Sequence, residues 1–193
     1  MGNGQCAMEG MVNFMFDLSF YKNKRVLVTG HTGFKGAWLC EILKLAGANV
    51  TGYSLAPPTT AISLFNIASV EKGLYSVFAD IRDFSELNAV FKETKPELVF
   101  HLAAQPIVRT SYKEPVYTYE TNLIGTVNIL ECARRSQSVR SVLNITTDKV
   151  YENKEWEWGY RENEPLDGYD PYSNSKSCSE LVTHSYKKCF FDP

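Results

Sequence analysis

Tyr172 and Lys176 stand four residues apart, a spacing that puts both side chains on one face of a helix. A free phenol titrates near ~10 and is a poor base at neutral pH. A neighbouring ammonium favours the phenolate. The pair could then take a proton from a carbinol while hydride leaves for a nicotinamide. By itself the spacing arises often by chance, and two polar residues on a solvated helix are the plain alternative.

A second group is Thr146-Thr147-Asp148-Lys149. A hydroxyl here could share a hydrogen bond with the substrate hydroxyl being oxidised. Asp148 and Lys149 offer an acid and a base. Simple alcohol oxidation needs neither, but elimination of water needs both: one for the leaving hydroxyl, one for the proton on the adjacent carbon. The bland reading is a charged loop capping a strand.

Gly30-His-Thr-Gly33-Phe34-Lys-Gly36 is the third group. A diphosphate needs backbone N–H groups close to it, so side chains must be absent at the contact points. A helix N-terminus adds its partial positive charge. The alternative is an ordinary glycine-rich turn, but a predicted strand precedes this run and a predicted helix follows it, the context that a dinucleotide site requires. Asp80-Ile81-Arg-Asp83 follows the third predicted strand, where the Asp80 carboxylate could accept from an adenine amino group. Asp83 reads as a helix N-cap. In His101-Leu-Ala103-Ala104-Gln105, small residues would let backbone approach a cofactor. Tyr53-Ser54-Leu55 supplies neither the acid that suits the ribose of NAD nor the Arg that suits the phosphate of NADP, so the residues alone leave that choice open.

The elements that must position these groups follow from apolar patterning. Arg25–Thr29, Asn49–Leu55, Leu74–Ala79, Glu97–His101 and Val139–Thr146 read as strands, being short and apolar or β-branched. Phe34–Ala46, Asp83–Glu93, Pro115–Arg135 and Asp170–Lys188 carry helical spacing. Gly47 closes the first of these, and Pro115 suits a first turn. Ala56–Thr60 is a loop. This alternation implies an α/β, Rossmann-type doubly wound parallel sheet. Residues 24–193 form that dinucleotide-binding domain, and residues 1–23 a loosely held extension whose start codon could be Met11 or Met15. The chain stops directly after a helix, so a C-terminal substrate domain is expected to be missing.

Composition excludes several classes. The net charge of −2, without a basic stripe, argues against nucleic acid. No segment approaches the ~20 apolar residues of a membrane helix, and the first 21 residues lack the Lys or Arg of a secretory signal. The five scattered cysteines and three distant histidines form no metal or disulfide pattern. Reduced thiols in a cytoplasmic protein are the expectation.

Together these motifs resemble the extended short-chain dehydrogenase/reductase family, in its sugar-nucleotide branch, from about Phe20 to Pro193. Val28–Gly36, His101–Pro106, Asn144–Lys149, Asn153–Glu164 and Gly168–Lys176 carry the likeness. The Trp156/Trp158 segment and the Asp148-Lys149 pair resemble dehydratases acting on CDP-glucose. Relatives acting on dTDP-glucose or GDP-mannose carry Asp-Glu at the latter position. The resemblance implies NAD, reduced and reoxidised within a turnover, and CDP-glucose converted to CDP-4-keto-6-deoxyglucose for deoxysugar and lipopolysaccharide O-antigen synthesis. It implies that Tyr172 takes the proton from O4, that Lys176 lowers the pKa of Tyr172 and contacts the nicotinamide ribose, and that Thr147 assists at O4. Asp148 would protonate the departing 6-hydroxyl and Lys149 would act at C5. Gly30, Gly33, Phe34, Gly36, Asp80, Ile81, Ala103 and Ala104 would hold the cofactor. The family usually has Ser at Thr147 and Cys at Val150. Members pair through their long helices, so a homo-oligomer is expected. An epimerase or reductase on the same scaffold, which would not need Asp148, and a non-catalytic NAD-binding module remain the alternatives.

Overall fold

The structure, a computed structural model, describes residues 18–57 and 62–192. Cys6, the candidate start codons and part of the Ala56–Thr60 loop lie outside the described residues. Five strands form one parallel sheet: β1 (Arg25–Thr29), β2 (Asn49–Ser54), β3 (Tyr75–Phe78), β4 (Leu98–His101) and β5 (Ser141–Asn144), in the order β3-β2-β1-β4-β5. Val26 aligns with Val50 on one side and Leu98 on the other. Because side chains alternate across a strand, β1 feeds two cores. Leu27 packs with Tyr53, Leu87, Val99 and Ile129 on one face; Val26 and Val28 pack with Ala37, Cys40, Leu43 and Phe65 on the other. Apolar burial on both faces is what a parallel sheet requires.

The helices are α1 (Phe34–Leu45), α2 (Leu64–Ile67), α3 (Phe84–Thr94), α4 (Val108–Lys113), α5 (Pro115–Tyr119), α6 (Gly125–Arg135) and α7 (Pro171–Tyr186). Helix α1 and α2 cover one face of the sheet, α3 and α6 the other. Asp83 caps α3, accepting from the Glu86 N–H, as its sequence position suggested. Asp170 caps α7, accepting from the Tyr172 and Ser173 N–H groups at 3.0 and 3.1 Å.

Some expectations needed adjustment. The helix expected over Pro115–Arg135 is broken by a π turn, Glu120–Ile124, in which the Gly125 N–H reaches back five residues to Glu120 O. Val139–Thr146 forms a strand only over Ser141–Asn144, because its partner β4 ends at His101. Residues 18–23, assigned to a loose extension, pack on the domain: Tyr21 lies against Phe100 with ring centroids 6.5 Å apart, and the Asn23 N–H donates to Gly47 O. The helices α2 and α4 had no sequence signal strong enough to mark them.

Neighbouring strands β2 and β4 leave β1 in opposite directions across the sheet. Their loops therefore diverge at the carboxyl end of β1, where open α/β sheets bind ligands.

Candidate active site

A cavity of about 510 Å3 opens at that divergence. Gly30, Gly33, Phe34, Gly36, Asp80, Ile81, Ala103, Ala104, Tyr172 and Lys176 all line it. The sequence had singled out each of them, and they come from four separate segments.

Two glycines shape the floor. Gly30 has φ +74°, and a Cβ there would lie 2.8 Å from the Ala103 nitrogen. A Cβ on Gly36 would sit 2.2 Å from Gly30 O. Any side chain would therefore push α1 off the loop. Gly33 stands at the start of α1 without a side-chain cap, so the first-turn N–H groups are left for a ligand or water. This is a favourable place for a diphosphate.

Tyr172 and Lys176 project from α7 at the other end. Lys176 is only 3% exposed, and its ammonium donates to Ile145 O at 3.2 Å. Burial lowers its pKa to about 8, with Glu180 pulling the other way. The Thr146 hydroxyl, on the same cavity wall, donates to the Glu180 carboxylate.

A buried polar network supports this wall. Thr29 Oγ1 accepts from the Leu102 and Ala103 N–H groups, each at 3.1 Å. Its own proton is then free to go to His101 Nδ1, 2.8 Å away. His101 Nε2 must carry the ring proton, and it faces Thr126 Oγ1 at 3.1 Å. Burial, then the nearby Lys176 charge, lowers the His101 pKa to about 3, so the ring is neutral. Asn122, on the π turn, accepts from the Gln105 N–H at 2.8 Å and donates to Gln105 O and to Ser175 Oγ. It ties the β4 loop to α7 between Tyr172 and Lys176. The sequence assigned no role to Asn122, Thr29 or Ser175, because the contacts that give them one lie 17 to 74 positions away.

Asp80 lines the cavity, yet its carboxylate is already engaged. It accepts from the Arg82 N–H and from the Arg82 guanidinium at 2.8–3.1 Å. That hydrogen bonding lowers its pKa.

Thr147, Asp148 and Lys149 lie elsewhere. Asp148 and Lys149 line a second cavity of about 900 Å3 with Asp170 and Ser173, the immediate neighbours of the Pro171-Tyr172 step. Thr147 caps a short 3-10 turn, Asp148–Val150. Its hydroxyl accepts from the Lys149 N–H and donates to Asp148 Oδ1 at 3.1 Å. The Trp segment forms the outer wall of this region. An antiparallel bridge, Tyr151 with Leu166, closes its base. Tyr160 stacks on Tyr151 at 5.5 Å and lies 5.7 Å from Trp156. Its hydroxyl accepts from the Lys154 N–H and donates to Asn153.

The glycine loop at the switch point of a parallel, doubly wound sheet places the molecule in the Rossmann-type class. Within that class, a family profile described as GDP-mannose 4,6 dehydratase matches residues 27–190, and the chain belongs to that family. It is 54% identical over 93% of its length to CDP-glucose 4,6-dehydratase from Salmonella typhimurium, of which it covers 50%. Among solved structures it resembles an epimerase from Methanothermobacter thermautotrophicus, with TM-score 0.80 and 26% identity, covering 95% of this chain and 53% of that one. It also resembles dTDP-glucose 4,6-dehydratase from Bacillus anthracis in complex with NAD, with TM-score 0.70 and 25% identity, covering 87% and 52% of the two chains. The chain thus spans about half the length of the curated relatives it matches.

Proposed function

We propose that this chain is the cofactor-binding part of an NAD-dependent CDP-glucose 4,6-dehydratase acting in the cytoplasm. The observation that carries the reading is the adjacency of two chemistries. Tyr172 and Lys176 end one cavity, and Asp148 and Lys149 open on the next. The identity shared with the Salmonella enzyme supports CDP-glucose as the substrate.

The first cavity fits NAD. Gly30 and Gly36 leave a cradle that any Cβ would fill, and the α1 N-terminus beside it has no side-chain cap. Bound there, NAD would supply the hydride acceptor and later the hydride donor. Gly30, Gly33, Phe34 and Gly36 would line the diphosphate, Asp80 and Ile81 the adenine, and Ala103 and Ala104 the middle of the dinucleotide.

The residues of the chain handle protons. Tyr172 takes the proton from O4 of the hexose. Lys176, buried beside it, favours the phenolate and would hold the nicotinamide ribose. Thr147 helps to orient O4. Once C4 is a ketone, the C5 proton is acidic, and Lys149 removes it. Asp148 protonates the 6-hydroxyl as it leaves as water. Val116, Ile124 and Leu181 are exposed on α5, the π turn and α7, which supports a homo-oligomer packed through the long helices.

The test is incubation of the complete protein with CDP-glucose. A 4-keto sugar should form without net NADH; if no product forms under conditions where NAD binds, the proposal fails. If Asp148→Asn leaves the rate intact, an epimerase or reductase replaces it.

A further inference from the structure

Arg82 does not line the cavity and plays no part in the chemistry above, yet it makes the densest set of contacts near it. Its N–H, Nε and Nη2 grip the Asp80 carboxylate. Nη1 donates to Glu120 Oε2 at 2.9 Å, on the first residue of the π turn. The guanidinium carbon lies 4.8 Å from the centroid of the Tyr117 ring, and Tyr117 itself lines the cavity. One side chain thus joins the β3–α3 loop to the junction of α5 and the π turn. Exposed ion pairs contribute little to stability, so stability is a poor reason for so elaborate a bracket.

Geometry gives a better one. A carboxylate has about four lone-pair sites. Three donors from Arg82, its N–H, its Nη2 and an Nε shared between both oxygens, hold the Asp80 carboxylate, and Asp80 itself lines the cavity. The planar fork fixes the carboxylate in a way a point charge cannot. The guanidinium also offsets a negative charge that would otherwise repel a nearby diphosphate.

We infer that Arg82 is a positioning residue that gives the cavity its preference for adenine over a base lacking the 6-amino group. It does so by holding Asp80 as a fixed acceptor at the cavity rim. The inference rests on the dinucleotide reading above. Hypoxanthine presents a keto oxygen where adenine presents an amino group, so a fixed carboxylate meets an acceptor and repels it. A carboxylate free to swing away would tolerate both.

The test is a calorimetric titration of this chain with NAD and with nicotinamide hypoxanthine dinucleotide. The unaltered chain should prefer NAD by about tenfold or more, the scale of one charge-assisted hydrogen bond. Arg82→Gln should bring that ratio close to one, and Arg82→Lys, which keeps charge without the fork, should leave it between. A purely structural role would weaken both ligands alike and leave the ratio unchanged; that result overturns the inference. Should Arg82→Gln fail to fold by circular dichroism, Glu120→Gln removes only the outer tether. A lowered ratio there supports the inference and an unchanged one overturns it. Equal binding of both ligands by the unaltered chain overturns the role of Arg82 while the dinucleotide reading stands. Binding of neither overturns both.

Discussion

The two cavities are built in different ways. The first is made by backbone: two glycine positions, an uncapped helix end and a strand-end loop held by Thr29, His101 and Asn122. Its working lysine is buried and partnered. The second is made by side chains on a loop. Asp148 and Lys149 are exposed, and the Lys154 ion pairs with Glu152 and Glu164 are loose, each at 3.9 Å. The segment around them is braced by an aromatic stack rather than by a sheet. The dinucleotide half is thus specified by contacts within these residues, whereas the acid–base half presents its groups to solvent.

That contrast can be tested at its widest point first. In the complete protein, Tyr172→Phe should lower the turnover rate by about 10²–10⁴-fold while NAD affinity stays within a few-fold; a drop under tenfold would move proton transfer to another group. Asp148→Asn should cost on the order of 10²-fold and behave differently. Oxidation at C4 continues while elimination stalls, so enzyme-bound NADH should build up in absorbance. If none accumulates, the division of labour between the cavities is wrong.

Stability should separate the cavities too. Burial lowers Lys176 from 10.5 to about 8. Between those values the folded chain has released a proton that the unfolded chain still holds, so stability rises with pH across that window. Relative to Lys176→Met, the gain should approach about 3 kcal/mol, read by denaturant unfolding at stepped pH; parallel curves would refute it. Smaller again, Gly36→Ala drives a Cβ to 2.2 Å from a carbonyl oxygen and should cost about 2 kcal/mol. Gly159, in the Trp segment, has nothing within 4 Å of its Cβ position. Gly159→Ala should therefore stay within about 0.5 kcal/mol of the parent. Similar losses at the two glycines would erase the contrast.

Much of this was legible before any coordinates. The glycine spacing carried a steric demand, and β1 and β4 announced themselves as apolar runs between loops. Other boundaries were not: β5 stops where β4 stops, and no residue of β5 encodes the length of its neighbour. The same limit hid the supports of the site. Asn122 and Arg82 look like ordinary polar residues until chain segments 17 to 53 positions away are brought beside them. Asp80 was readable as a cavity acceptor, but its grip by Arg82 was not. The sequence placed Thr147, Asp148 and Lys149 as one group, whereas the fold uses the Thr147 hydroxyl to cap a turn and leaves the other two on the adjoining cavity.

The π turn at Glu120–Ile124 also sets a rule for how this chain could vary. Each residue of a helix advances the direction of the next by about 100°. The extra residue lets Thr121 face the dinucleotide cavity while its neighbour Asn122 reaches Gln105 and Ser175. It also delivers Ile129 and Cys132 to the core beyond. Deleting one residue here would restore a regular helix and rotate one half against the other. Descendants of this chain could lengthen or shorten the exposed segment at 152–159 far more freely than they could lose that single position.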